Sequence, residues 1–300
     1  MKRGKMKIAV IGGGRIGQSV RMLLSRNGKQ VFVWDMDLEK PHVHHSLSET
    51  VRGASVVFIC VPSWGLRSAL RSMKPFLAKG AVLAVFTKGI EKGTKKFAHE
   101  VIRDECPKNP VALIGGPFLA EELDRELYGV AVIGTPNRAV FLKVKKLFFG
   151  TPARFAHVSD IKSIALAGVL KNLYALGLGI ADGLGWGANA KGWLAAQFID
   201  EMSRTGALLG AKPQAMGAAA VSDLIASGFS PHSRNRRSGE EILKWDPKSI
   251  ASESIASYPS AAALLGKRMK RLPYLAALSG IVLRRKDAHV VFKRFLEHAG

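Results

Sequence analysis

Short apolar runs recur through the first half of the chain and give way near residue 160 to longer stretches with helical spacing. Residues 7–11, KIAVI, predict a strand, and a glycine-rich turn follows at once. SVRMLLSRNG then places its apolar positions on one helical face and stops at Asn27-Gly28. QVFVWD reads as a second strand ending at Asp35, and further strand runs follow at 55–62, 81–87, 111–116 and 129–134. Helical stretches such as LRSALRSMKPFLA lie between some of them, so a mostly parallel sheet covered on both faces is expected. The loops after these strands, at VPSWG, TKGIE and GGPFLAEE, should line a ligand crevice. From about residue 160 the pattern predicts helices over 161–185, through WLAAQFIDEMSRTGALLGA, up to Ser222-Asp223-Leu224, and in PYLAALSGIVL and AHVVFKRFLEH, the last with Asp287 as cap. The expected organisation is an α/β domain over residues 1–157 followed by an all-helical domain over 158–300.

The turn after the first strand is Gly12-Gly13-Gly14-Arg15-Ile16-Gly17, and Asp35 closes the second strand eighteen positions past the last glycine. Strand, glycine turn, helix, strand and acid form the fingerprint of a Rossmann-type dinucleotide-binding domain. Gly12, Gly14 and Gly17 let backbone approach a pyrophosphate, with Arg15 and Ile16 in the same turn. The helix N-terminus supplies partial positive charge, and Asp35 can accept from a ribose diol. A carboxylate there repels a 2′-phosphate, which favours NAD, with NADP as the alternative. Lys40 and Arg52 lie too far along the chain to be assigned as phosphate partners.

One cation interrupts the apolar run IALAGVLKNLYALGLGI, residues 164–180: Lys171, followed by Asn172. Burying an ammonium costs several kcal/mol unless a carboxylate or a reacting oxygen meets it. Lys171 is therefore either paired for structure, with Asp223 or Asp182, or used for chemistry. The run is shorter than the ~20 residues that a bilayer requires, and it carries Lys171, Asn172 and three glycines, so a buried helix is expected rather than a membrane span.

Bulk properties narrow the picture further. Three hundred residues, 47% hydrophobic and 23% charged, suit two globular domains. Two cysteines, Cys60 and Cys106, exclude a disulfide framework and fit a reducing cytoplasm. The apolar run at the N-terminus breaks at glycines after four residues, so no signal peptide is expected. His42, His44 and His45 lack the cysteines or carboxylates that would complete a metal set, and no metal is assigned. A net charge of +22 and a pI near 10.3 predict attraction to anions. The cations are spread along the chain, however, so charge is no argument for a specific nucleic-acid partner; weak association with an anionic membrane surface is the expectation, together with a homodimer.

GGGRIG, VPS, TKGIE, GGPFLAEE, GVLKN, GIADGLGWGANAK, SDLI and SPHSRNRRSG occur in the order found in NAD(P)-dependent glycerol-3-phosphate dehydrogenase of the bacterial type. The resemblance runs from residue 7 to about residue 240 and implies a helical substrate domain after the dinucleotide-binding one. It implies reduction of dihydroxyacetone phosphate to sn-glycerol 3-phosphate, for glycerophospholipid synthesis. Lys171 looks like the catalytic lysine of the LKN motif, which Asn172 completes, and Asp223 like the aspartate of its GDL segment. Lys88 resembles the lysine that contacts cofactor and substrate. Ser233, Arg234 and Asn235 resemble the element holding the substrate phosphate, with Arg234 also near the cofactor. Gly116 and Ala120 fall in the cofactor loop, and Glu253 matches a late glutamate near the nicotinamide. Arg236 and Arg237 are expected as surface charge.

These residue types suit the chemistry. Hydride reduction of a ketone leaves an alkoxide that must take a proton, and a lysine in an apolar setting can give it. Asp223 would orient the ammonium, Lys88 stabilise the oxyanion, and the planar fork of Arg234 hold phosphate oxygens. The chain departs from the family at several points. The segment between Asp35 and Ser55 and the loop after Arg237 are short. Phe118 replaces a small hydroxyl residue, and Ala188 and Gln197 replace polar and basic ones. Two alternatives follow: a related dehydrogenase of another phosphorylated or acidic keto compound, and a catalytically impaired nucleotide-binding sensor.

Overall fold

The computed structural model describes residues 6–244 and 246–297. The chain forms two compact units: Met1–Lys88 with Phe97–Ala165, and Gly89–Lys96 with Leu166–Gly300.

The first unit is built on seven strands, β1 (Lys7–Ile11), β2 (Gln30–Trp34), β3 (Val56–Ile59), β4 (Val82–Val85), β5 (Val111–Gly115), β6 (Gly129–Gly134) and β7 (Ala153–Val158), in the order β2-β1-β3-β4-β5-β6-β7. All six expected strand runs are present. All neighbouring strands pair parallel except β5 and β6, which are antiparallel. Strands β3 and β4, VVFI and VLAV, are buried at every position, as a sheet covered on both faces requires. Strand β7 escapes the hydrophobic pattern because it is an edge, with exposed Arg154 and Ala156 alternating with buried Ala153 and Phe155.

Helices α1 (Arg15–Arg26), α2 (Leu47–Val51), α3 (Leu66–Met73), α4 (Ala98–Glu105), α5 (Ala120–Asp124) and α6 (Arg138–Leu147) complete this unit. Helix α1 buries Val20, Leu23 and Leu24 and stops at Asn27, where Gly28 takes a φ of 70°. The order of strands reverses between β1 and β3, and the glycine turn sits at that reversal.

Helix α7 (Ile161–Gly183) carries the Lys171 run, and its most apolar window is wholly buried. After it come α8 (Ala188–Leu208), α9 (Pro213–Ala215), a π-helical stretch Met216–Val221, α10 (Ser222–Gly228), α11 (Arg234–Glu241), α12 (Glu253–Leu265), α13 (Pro273–Arg284) and α14 (Ala288–Glu297). Asp287 caps α14, accepting from the N–H groups of His289 and Val290; the His298 end of that expected helix lies outside the described residues. Glu201 on α8 is fully buried and ties α8 to α13 by accepting from Tyr274 N (2.9 Å) and Leu275 N (2.6 Å) and from the Tyr174 hydroxyl (3.0 Å). Burial pushes its carboxyl above the usual range against those three donors.

Candidate active site

The glycine turn is shaped by contacts that admit no side chain at two positions. A Cβ on Gly12, whose φ is 104°, would stand 2.7 Å from the Cys60 carbonyl oxygen. One on Gly17 would stand 1.9 Å from the Gly12 oxygen, so the first turn of α1 packs directly on the strand end. Beside Gly14 a Cβ would meet nothing within 4 Å, and the N-terminus of α1 has no side-chain cap. Backbone donors facing open space at a helix N-terminus suit a pyrophosphate, so these residues fit a dinucleotide. Ile16 is partly buried against the core, while Arg15 points out and pairs with Glu121.

Asp35 works locally. Its Oδ2 accepts from Gly13 N (2.6 Å), and its Oδ1 accepts from Asp37 N (2.9 Å) and Lys40 Nζ (2.9 Å). Burial raises the carboxyl, but these donors and the Lys40 charge outweigh it and hold the group below its ordinary value. Sequence distance had set Lys40 aside. The turn between Asp37 and Lys40 folds it back, so Lys40 stands beside the Asp35 carboxylate.

On the same unit, Lys88 Nζ donates to the Gly116 oxygen at 3.2 Å, and Gly116 takes a φ of 89° after β5. Ala120 is buried at the start of α5. Phe118 is a core residue, with ring centroids 5.5 Å from Phe86 and 5.8 Å from Phe155, so its side chain packs into the core of this unit.

In the second unit Lys171 is 7% exposed and Asp223 1%. Lys171 Nζ lies 3.1 Å from Asp223 Oδ1 and donates to Ser227 Oγ at 2.9 Å. The Ser227 hydroxyl reaches Asp223 Oδ1 at 2.8 Å and the Asp223 carbonyl oxygen at 2.6 Å. Ser227 was missed in the sequence, although its spacing of four from Asp223 on α10 puts both on one helical face. A buried amine held by a carboxylate and a hydroxyl can carry a proton without leaving its place.

Asp182, the other carboxylate considered for Lys171, is taken elsewhere. It accepts from Lys191 Nζ at 2.6 and 2.8 Å and from Arg236 Nε at 2.5 Å. Arg236 is therefore not surface charge: its side chain is 15% exposed and also pairs with Glu240. The face of α11 that carries Arg236 packs on α7 so closely that a Cβ on Gly179 would stand 1.8 Å from the Arg236 oxygen.

The same contact sets the remaining residues. Asn172 Oδ1 accepts from Asn235 Nδ2 (2.8 Å), and Asn235 Oδ1 accepts from Ser254 N (3.0 Å) at the start of α12. Ser233 caps α11, accepting from Arg236 N. Arg234 is half-exposed; its Nη1 donates to both Glu241 oxygens at 2.6 and 2.8 Å, and its Nε to the Ala251 oxygen. Glu253 opens α12 one residue after its Ser252 cap. Lys171 with Asp223 of α10, and Asn172 with Asn235 of α11, thus form two adjoining pairs against α7, the first buried and the second partly so.

Comparison with known proteins places the chain in a family. The family description for the N-terminus of NAD-dependent glycerol-3-phosphate dehydrogenase matches residues 39–141, and that for its C-terminus matches residues 160–293. A Clostridium perfringens protein named glycerol-3-phosphate dehydrogenase, NAD(P)+, is 32% identical over 78% of this chain and 77% of its own length. The chain belongs to the NAD-dependent glycerol-3-phosphate dehydrogenase family. A second member, from Clostridium tetani, is 29% identical over 96% of this chain and 93% of its own. The crystal structure of glycerol-3-phosphate dehydrogenase from Coxiella burnetii superposes with a TM-score of 0.90 at 26% identity, covering 98% of this chain and 99% of that one. Within the family frame, the departures at Ala188 and Gln197 fall on α8: Ala188 is exposed at its first position, and Gln197 accepts from the Tyr274 hydroxyl at 3.3 Å.

Proposed function

We propose that this chain interconverts dihydroxyacetone phosphate and sn-glycerol 3-phosphate, with NAD as cofactor and NADP as a second one. Family membership supports the reaction, and the glycine turn with Asp35 supports the cofactor. The observation that carries the proposal is the buried Lys171–Asp223–Ser227 group. A nicotinamide dinucleotide, when bound, supplies hydride to C2 of the ketone. The Lys171 ammonium gives its proton to the C2 oxygen, so that ketone, hydride and proton become the secondary alcohol; in the reverse direction the neutral amine takes the proton back. Asp223 and Ser227 hold the amine through both protonation states. Lys88 adds positive charge where the oxyanion develops. The fork of Arg234 exchanges its Glu241 carboxylate for phosphate oxygens of like geometry, beside Ser233, Asn235 and Asn172. Arg15, Ile16, Gly116, Ala120 and Glu253 belong to the cofactor side of the proposal.

Oxidation of NADH with dihydroxyacetone phosphate, followed at the nicotinamide absorbance, tests the reaction. Lys171→Ala should keep nucleotide affinity and lose turnover by about two to four orders of magnitude, the range for a positioned general acid. Near-normal turnover in that variant refutes the role. Two free cysteines and the wholly buried apolar helix support a cytoplasmic location, which fractionation of the host cell checks.

A further inference from the structure

The first unit carries a surface that its fold does not explain. Between Glu126 and Asp160 the sequence contains Arg138, Lys143, Lys145, Lys146 and Arg154 and no carboxylate. The same stretch holds Tyr128 (68% exposed), Val130, Leu142 and Phe149 (82% exposed) among the exposed large apolar side chains of the described residues. Helix α6 buries Val140, Phe141, Val144 and Leu147, so its outer face should be polar throughout; Leu142 breaks that rule, and Phe149 follows at its end.

Fold geometry gathers these residues. Val130 and Arg154 are register partners on β6 and β7, at the edge of the sheet, and the Arg154 guanidinium lies 5.2 Å from the Tyr128 ring centre. A depression of about 560 Å3 joins Leu142, Lys145, Lys146 and Phe149 to Arg154, and a second joins Arg154 to Tyr128 and Arg26. Arg26 is neutralised by Glu126; Lys143 reaches the Ser55 oxygen. Lys145, Lys146 and Arg154 are the cations that line the first depression.

The geometry points to this patch, α6 with the β7 edge, as a docking face for an anionic lipid bilayer. Lysine and arginine around exposed aromatic and aliphatic tips are the chemistry that binds a charged interface: the cations meet lipid phosphates while Phe149, Tyr128 and Leu142 enter the headgroup boundary. A second copy of the chain fits less well, because an isologous contact would put the same cations on both sides of the interface with no carboxylate from this stretch to meet them. The surface is independent of the reaction proposed above, and its test does not use activity as its readout.

Purified protein is sedimented with vesicles of phosphatidylcholine alone and of phosphatidylcholine mixed with phosphatidylglycerol. Pelleting is expected only with the anionic vesicles and should weaken as salt rises. Each cation removed from the patch should cost roughly fivefold in partitioning, so Lys145→Glu with Lys146→Glu abolishes it. Phe149→Ser with Leu142→Ser should reduce it at unchanged charge. The control reverses Lys267 and Arg268, which are exposed cations of the second unit, and should lose no more than a residual general attraction. Indifference to phosphatidylglycerol overturns the proposal, as does equal loss in patch and control variants. A mass by light scattering that halves in the Phe149→Ser, Leu142→Ser variant assigns the face to a second copy instead, and a patch that retains only an acidic protein assigns it to that class.

Discussion

Single side chains set the terms of the proposed cofactor choice and proton transfer. Asp35 and Lys40 stand 2.9 Å apart at the end of β2; in the proposed cofactor site one would repel a 2′-phosphate and the other attract it. Asp35→Asn should raise the ratio of kcat/KM for NADPH over NADH by about tenfold, the effect of roughly 1.4 kcal/mol of removed repulsion. Lys40→Ala should move it the other way; an unchanged ratio in both variants removes the pair from cofactor choice. Because the folded Asp35 carboxyl lies below its ordinary 3.8, its contribution to the turn is present above that pH and is lost only as pH falls through the lower folded value. Ser227 makes a comparable case in the second unit. Removing its hydroxyl strips one acceptor from the buried Lys171 ammonium, and a hydrogen bond to a charged group is worth about 1.5–3 kcal/mol. Ser227→Ala should therefore lower kcat for dihydroxyacetone phosphate by roughly tenfold or more while Ser227→Thr restores much of it. Equal loss in both variants, with an altered unfolding midpoint, marks Ser227 as packing alone.

At the scale of elements, the close approach of α11 to α7 organises the site. Gly179 lets the Arg236 backbone come against α7, and Gly239 lets α11 meet the Leu176 oxygen, where a Cβ would stand 2.1 Å away. That packing seats Asn235 on Asn172 and Arg236 on Asp182. Gly179→Ala must push the helices apart. It should cost about 1–3 kcal/mol of stability by denaturant unfolding, with a raised KM for the phosphorylated substrate. A variant of wild-type stability and KM contradicts this account of the glycine. The same contact shows what was legible beforehand. The glycine turn, Asp35 and six strands could be read because each is local: a period, a turn residue, an interval. Lys171 could be marked as anomalous, but its partner could not be chosen. Asp182 is nearer in sequence, and only the fold brings Asp223 to 3.1 Å. Arg236 was misread because three arginines in four residues look solvated, whereas the glycines of α7 turn that face of α11 inward. Lys40 and Ser227 were within reach of a simple rule, a turn that folds back and a helical spacing of four. Strand β7 was not, since an edge strand with alternate residues in solvent lacks a continuous apolar run.

The molecule as a whole is a polycation meeting anionic ligands. Its formal charge of +22 comes from 45 lysines and arginines against 23 acids, and many of those acids are engaged with a cation, as at Asp35, Asp182, Asp223 and Glu241. Dihydroxyacetone phosphate and nicotinamide dinucleotides are both anions, so this excess charge acts on encounter before any contact forms. Its reach is set by the Debye length, about 30 Å at 0.01 M salt and about 8 Å at 0.15 M. Steering of this kind raises association rates by roughly 10- to 1,000-fold, and the gain disappears as the field is screened. Lys171, the proposed proton donor, is buried and paired, so its proton transfer should be insensitive to bulk salt. Raising ionic strength across that range should therefore depress kcat/KM for dihydroxyacetone phosphate by several-fold and leave kcat nearly constant. Initial rates at fixed NADH in a series of salt concentrations make the measurement, with a viscosity-matched neutral osmolyte series to separate viscosity from screening. A fall in kcat that tracks kcat/KM places the salt effect on the chemical step instead, and a flat kcat/KM means that the positive surface plays no part in bringing substrate to the protein.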